Sequence, residues 1–378
     1  MITALLARPT PGRKEDPIDT ANLPYQKKVT ELAEAWRARY HLPGAWCAYI
    51  RDGKVAALVA TGFKNLETKA EASVTDRLGV GSVTKVFTGS LIAFFVADGT
   101  LKYETKIGDV FPDLKREFPN SPIVQATLRQ LLNHTSGMPK DFTLTSSPPT
   151  ATGYRLSILK RALALTDLPS PGTRYEYSNL AFDIAVAMVE RLTGKSYESW
   201  LLGDLGKKIG LTSPIMSDGH VNAETPVVPY YLTGGHISPG RSEAPRGAKH
   251  RGQFAAGGGC YANLSDQCRF ALFTMNNSAS LPPAVYSEIT HPIPDYPKTG
   301  IDKGQVVTAP KTTGAGWEYG LTTDLIKGGV TGRGEAARVR LNVSSKRAFL
   351  VYINAFPASA SPSLTSMVDS DIAPFMRP

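Results

Sequence analysis

Cysteine is scarce in this chain: there are three, Cys47, Cys260 and Cys268, in 378 residues. An odd number without close pairs is neither a disulfide framework nor a zinc site. A Cys260–Cys268 bond is one option, and buried thiols are the preferred reading. The six histidines, His41, His134, His220, His236, His250 and His291, lack the spacing of a metal site. Long apolar runs are missing too. The longest internal one, around Leu91 to Ala97, is far too short to span a bilayer. Met1 to Pro9 holds a short apolar patch with no basic segment before it, a poor secretory signal. A cytoplasmic protein is therefore expected, or a periplasmic or secreted one whose leader has been removed. No block of like charge occurs. The formal net charge is +9, but Lys and Arg are scattered as short pairs such as Lys27-Lys28 and Lys207-Lys208. That distribution argues for a soluble basic surface rather than a nucleic-acid partner. Gly257-Gly258-Gly259 is followed by neither a phosphate-loop lysine nor a dinucleotide pattern and reads as a tight turn. Metal, cofactor, membrane and nucleic-acid roles all lose support.

What is present is an ordinary globular composition, 42% hydrophobic and 20% charged, which excludes a disordered or collagen-like chain. Residues 1–24, rich in Pro, Thr and charge, read as a surface arm. From Tyr25, the residues Val29, Leu32, Ala33, Trp36 and Tyr40 recur at helical steps, and Leu42-Pro43-Gly44 ends the helix. Trp46–Ile50 and Val55–Ala60 are apolar runs joined at Arg51-Asp52-Gly53-Lys54, a strong hairpin signal. Arg338–Val343 and Ala348–Ala355 form a second β pair across Ser344–Arg347, and a last helix is expected over Ser363–Phe375. Between these ends, helical stretches at Thr84–Asp98, Leu156–Leu165, Ala181–Leu192 and Asp266–Met275 alternate with Pro/Gly loops. The implied fold is α+β: one antiparallel sheet built from both termini and flanked by helices, with a mostly helical region inserted. The expected division is 1–24 as arm, 25–80 plus 301–378 as sheet domain, and 81–300 as the insertion. The loops 138–155 and 214–253 are long enough to line a site.

Ser82-Val83-Thr84-Lys85 follows Gly79-Val80-Gly81 and opens an apolar helix. Serine three residues before lysine shares a helix face with it, so a neutral amine there can take the serine proton. The helix start also presents free N–H groups to developing negative charge. A second Ser-x-x-Lys, Ser157 to Lys160, reads as an ordinary helix start. Tyr177-Ser178-Asn179 precedes another helix: the phenol can act as base toward serine and acid toward a leaving group, and Asn179 can bind a substrate carbonyl. Tyr261-Ala262-Asn263 and Tyr352-Ile353-Asn354 repeat that pattern as decoys. A third element, a strand edge bearing a cation and glycine, should orient substrate and supply an oxyanion N–H. The preferred candidate is Lys327-Gly328-Gly329, with the N–H of Val330. The literal triplet Lys298-Thr299-Gly300 reads as part of a Pro-rich loop with no strand behind it. His134 reads as a structural loop residue.

From about residue 25 to the end, the order of these motifs resembles the serine β-lactamase-like superfamily, including class C β-lactamases, D-Ala-D-Ala carboxypeptidases and family VIII carboxylesterases. The matching stretches are Gly81–Lys85, Leu131–Gly137, Pro171–Thr173 with Tyr177–Asn179, and Ala256–Gly259 leading into Leu264–Asp266. The resemblance implies a β-lactamase/transpeptidase-like fold and a covalent acyl-serine intermediate. Within it, Ser82 is nucleophile, Lys85 its proton partner, Tyr177 base and acid, and Asn179 a substrate ligand. No cofactor or metal is implied. Lys-Gly-Gly departs from the usual Lys-Thr-Gly or His-x-Gly, which weakens the case for β-lactam and D-Ala-D-Ala recognition more than it touches the chemistry. The expected substrates are small esters, with amides or lactams as weaker ones. The alternatives are an acyltransferase of the same fold and a non-catalytic binding relative. The oligomeric state stays open.

Overall fold

The structure, a computed structural model, describes residues 22–142, 150–211, 215–216, 227–233, 236–240, 255–276, 281–293, 297–302, 305–319, 323–330, 334–357 and 364–377. Its centre is a seven-stranded antiparallel sheet. The strands are β1 (Gly44–Arg51), β2 (Lys54–Asn65), β3 (Ala70–Glu71), β4 (Glu318–Tyr319), β5 (Leu325–Val330), β6 (Ala336–Asn342) and β7 (Arg347–Ile353). They run in the order β4-β5-β6-β7-β1-β2-β3, so both ends of the chain meet at the β7–β1 pair. The β1–β2 turn has Asp52 at φ 51° and Gly53 at φ 73°. Two consecutive positive φ values define the tight turn that matches strand twist, which is why Asp-Gly stands there.

β1 is central and buried on both faces, which explains its unbroken apolar run. Ala45, Cys47 and Tyr49 point to one layer, containing α1 (Gln26–Tyr40) and, as labelled below, the C-terminal helix. Trp46, Ala48 and Ile50 point to the other. That second layer holds α2 (Thr84–Ala97), α3 (Ala151–Leu163), α4 (Asn179–Thr193) and α5 (Leu264–Asn276), and Phe87 of α2 stacks on Phe270 of α5 at 3.9 Å. α6 (Leu364–Met376) closes the first layer, where Trp36 Nε1 donates to Asp371 Oδ2 at 2.8 Å. None of the helices among the described residues is long and apolar enough to cross a membrane.

Three local expectations change. α3 starts at Ala151, five residues before the expected Leu156, because Thr150 caps it by accepting from Gly153 N–H at 3.0 Å. Lys298-Thr299-Gly300 is no loop: Thr299–Asp302 is a strand, paired antiparallel with Gln305–Thr308 and parallel with Tyr175–Glu176. Gly300 is needed there, since a Cβ would lie 2.6 Å from Tyr175 O. The expected loop 214–253 contains the short strands Ile215–Met216, Tyr230–Thr233 and His236–Pro239, and most of the rest lies outside the described residues. The arm 1–24 also falls almost wholly outside them. The three cysteines are buried and unpaired. Burial pushes the Cys260 and Cys268 thiols up to about 12, so they stay protonated and inert.

Candidate active site

Ser82 sits in a 3-10 turn, Gly81–Val83, that runs straight into α2. Gly81 makes the entry at φ 53°, a conformation side chains resist. Lys85, in the first turn of α2, is fully buried. Its Nζ donates to Asn179 Oδ1 and Gly257 O, both at 2.6 Å, and lies 3.3 Å from Ser82 Oγ. Burial, followed by the charge of Lys327, holds the Lys85 ammonium well below its usual range. A neutral amine has two hydrogens, which Asn179 and Gly257 take, so its lone pair is left for Ser82. Ala255–Gly258 is a single helical turn rather than the expected tight turn, and the bare Gly257 permits this approach, because a Cβ there would lie 3.3 Å from Lys85 Nζ.

Tyr177 OH donates to Ser82 Oγ at 2.7 Å. Its ring stacks on His134 at 4.4 Å between centroids. His134 holds a positive φ of 64°, accepts the Ser178 N–H on Nδ1 at 3.1 Å and accepts the Glu176 N–H on its carbonyl at 2.8 Å. Burial and the neighbouring lysines keep its imidazole well below the usual range, hence neutral. Ser178 caps α4 by accepting from Ala181 N–H and donates to Pro139 O, so the Tyr177–Asn179 turn is tied down on both sides.

The edge of β5 completes the arrangement. Lys327 is 1% exposed, donates to Glu318 Oε1 at 2.9 Å and lies 5.6 Å from the Tyr177 ring centroid. Gly329 packs against the Ser82 turn so closely that a Cβ would lie 2.2 Å from Val80 O and 2.9 Å from Ser82 N. A Cβ at Gly328 would instead meet Arg338 Nη1 at 3.5 Å, ordinary contact. Val330 ends β5 in register with Ala336. Lys298, by contrast, is exposed. The decoys are occupied elsewhere: Ser157 Oγ donates to Gly153 O inside α3, Tyr352 OH donates to Glu335, and Asn354 Oδ1 accepts the Gly44 N–H.

The sequence profile of the family described as Beta-lactamase matches residues 26–368. This chain belongs to the β-lactamase family. Among curated relatives, protein flp of Staphylococcus aureus (strain COL) is 28% identical over 210 residues, 55% of this chain and 42% of that protein. Penicillin-binding protein 4 of Amycolatopsis lactamdurans is 32% identical over 186 residues, 48% of this chain and 46% of that protein. The chain thus matches less than half the length of these relatives. Among solved structures, SurE superposes with a TM-score of 0.73 at 22% identity, covering 92% of this chain and 75% of that one. D-alanine carboxypeptidase AmpC from Burkholderia cenocepacia gives 0.66 at 17%, covering 88% and 94%. EstCE1, described as a hydrolase with promiscuous acyltransferase activity, gives 0.63 at 19%, covering 87% and 93%. At these identities the likeness is one of fold: a large antiparallel sheet with helices on both faces.

Within this β-lactamase-family fold, several site residues escaped the sequence reading. Asp141 accepts from Asn179 Nδ2 at 2.8 Å, and Glu318 holds Lys327. Asp183, fully buried on α4, accepts the Ala256 N–H at 3.1 Å and so steadies the turn that carries Gly257 O. Asp141 and Glu318 have no spacing signature and reach the site only through the fold, whereas Asp183 stands one helical turn after Asn179, the one signal that could have found it. His134 was visible as part of Leu131–Gly137, but its stacking on Tyr177 was not.

Proposed function

We propose that this protein is a serine hydrolase that passes the acyl group of small esters through Ser82 to water, with amides and lactams as slower substrates. One observation carries the reading: Ser82 Oγ lies 2.7 Å from Tyr177 OH and 3.3 Å from a buried lysine nitrogen. Lys85, with both amine hydrogens committed, accepts the Ser82 proton as Oγ bonds to the substrate carbonyl carbon. Ser82 N–H, at the start of α2, and the Val330 N–H of the neighbouring β5 edge receive the oxyanion. Tyr177 delivers a proton to the departing alkoxide. Water then enters, gives its proton to the same relay and releases the acid, which restores Ser82. His134 stays neutral and orients the Tyr177 ring without taking a proton.

The reading favours esters because an alkoxide leaves more readily than an amine, and the Lys-Gly-Gly edge lacks the hydroxyl that Lys-Thr-Gly offers a lactam carboxylate. Turnover of p-nitrophenyl esters beside a chromogenic cephalosporin tests it. The wild type is expected to hydrolyse the esters faster, Ser82→Ala to lose that activity, and Ser157→Ala to keep it. A Ser82→Ala protein that still turns over the esters overturns the proposal.

A further inference from the structure

Two side chains expected to receive substrate, Lys327 and Asn179, are each held by a carboxylate of the chain. Lys327 donates to Glu318 Oε1 at 2.9 Å, and Asn179 Nδ2 donates to Asp141 Oδ1 at 2.8 Å. The Lys327–Glu318 pair is asymmetric: the lysine side chain is 1% exposed and the glutamate 29%. The carboxylate is therefore the solvent-accessible partner of the pair, and the ammonium is covered. Its backbone is anchored, since Glu318 pairs with Ile326 of β5, the residue before Lys327, and bridges Thr312 on its other side. Asp141 is exposed at the same mouth. Asn179 also accepts from Lys85 Nζ at 2.6 Å, and Lys327 Nζ lies 5.6 Å from the Tyr177 ring centroid, so the two carboxylates border one centre.

We infer that Glu318 occupies the place of a substrate carboxylate, so that the site selects acyl donors that carry none. The inference rests on the serine acyl-transfer reading above and adds its substrate class: esters neutral around the scissile bond. A donor with a carboxylate near the leaving group must displace Glu318 from Lys327. The exchange trades one charge-assisted hydrogen bond for another and gains nothing. The displaced, half-buried Glu318 then repels the newcomer, and exposed Asp141, screened by water, adds to this only weakly. Lys140, beside Asp141 and 5.9 Å from the Tyr177 ring centroid, is exposed and screened by water, so it offsets this only in part. A neutral ester disturbs neither pair.

Two butyrate esters provide the test: one of meta-hydroxybenzoic acid and one of its methyl ester, which share the scissile bond and differ by one carboxylate. The readout is the ratio of their kcat/KM values, corrected for spontaneous hydrolysis. The wild type is expected to favour the neutral ester. Glu318→Gln is expected to move the ratio toward the carboxylate ester by about tenfold or more, the effect of one newly available charge-assisted contact. Glu318→Ser, with a shorter side chain, should move it the same way. A wild type that prefers the carboxylate ester overturns the inference without recourse to any variant. So does an unchanged ratio in folded Glu318→Gln that turns over both esters. Ser82→Ala runs alongside: if it hydrolyses both esters like the wild type, the serine reading itself falls, and this inference falls with it.

Discussion

Asp183 is a carboxyl buried in the wall of the site, and its cost can be worked out. Oδ1 accepts the Ala256 N–H at 3.1 Å, and Oδ2 is buried without a hydrogen-bond partner among the described residues. Burial lifts the group from its ordinary 3.8 to about 7, against the opposing pull of Arg155 and the Ala256 N–H. At about 1.4 kcal/mol per pH unit, ionised Asp183 weakens the fold by about 4 kcal/mol relative to its neutral form. Below pH 3.8 both folded and unfolded chains hold the proton and the term is absent. As pH rises toward about 7 the unfolded chain releases its proton first, so stability falls, and the full cost is present above that value. Asp183→Asn keeps the Oδ1 acceptor and removes the titration. Its stability relative to wild type should therefore rise by about 4 kcal/mol between pH 4 and pH 8, whatever constant offset the amide introduces. Urea midpoints of the two proteins across that range, with equal m-values, measure it. Parallel curves would refute the reasoning and show that Asp183 titrates alike folded and unfolded.

Tyr177→Phe should lower kcat by at least about 10²-fold, the usual effect of losing a positioned acid or base, while the ring's stack on His134 preserves the thermal transition. A near-normal kcat would remove the phenol from the mechanism. Gly329→Ala should abolish ester turnover, because the Val80 and Ser82 backbone cannot yield to a Cβ at 2.2 and 2.9 Å, whereas Gly328→Ala should be tolerated. Equal activities in the two alanine variants would contradict the packing of β5 on the Ser82 turn. Lys298→Ala should leave turnover intact, since the side chain is exposed, and Lys327→Ala should reduce it; steady-state kinetics showing the reverse would reassign the third element.

Local chemistry made the sheet's hairpins readable. Asp52-Gly53 demanded positive φ values between the apolar runs Trp46–Ile50 and Val55–Ala60, and burial of β1 on both faces emerged only in the structure. Periodicity likewise placed α2, α4 and α5 to within two residues of where they begin and end. Strand pairing was less legible where strands are short. The strand Thr299–Asp302 is four residues long and follows Pro292, Pro294 and Pro297, so the literal Lys-Thr-Gly read as loop, although it pairs with Gln305–Thr308 and with 175–176. α3 begins earlier than its apolar pattern suggests because Thr150 caps it by accepting from the Gly153 N–H. In the site, Ser82, Lys85, Tyr177 and Asn179 meet as their motifs implied. Asp141 and Glu318 join them through tertiary packing, from 38 and 139 residues away from Asn179 in sequence, whereas Asp183 lies one helical turn after Asn179 on α4.

The central claim is that an acyl group is carried on Ser82 Oγ. Intact-protein mass spectrometry of the enzyme quenched with a slow p-nitrophenyl ester or a fluorophosphonate, followed by peptide mapping, tests it most directly. The account predicts one adduct per chain on the peptide containing Ser82, none on the Ser157 peptide, and no adduct in Ser82→Ala. Stoichiometric labelling at another residue, or turnover of the ester without any covalent adduct under conditions that trap the intermediate, would contradict it.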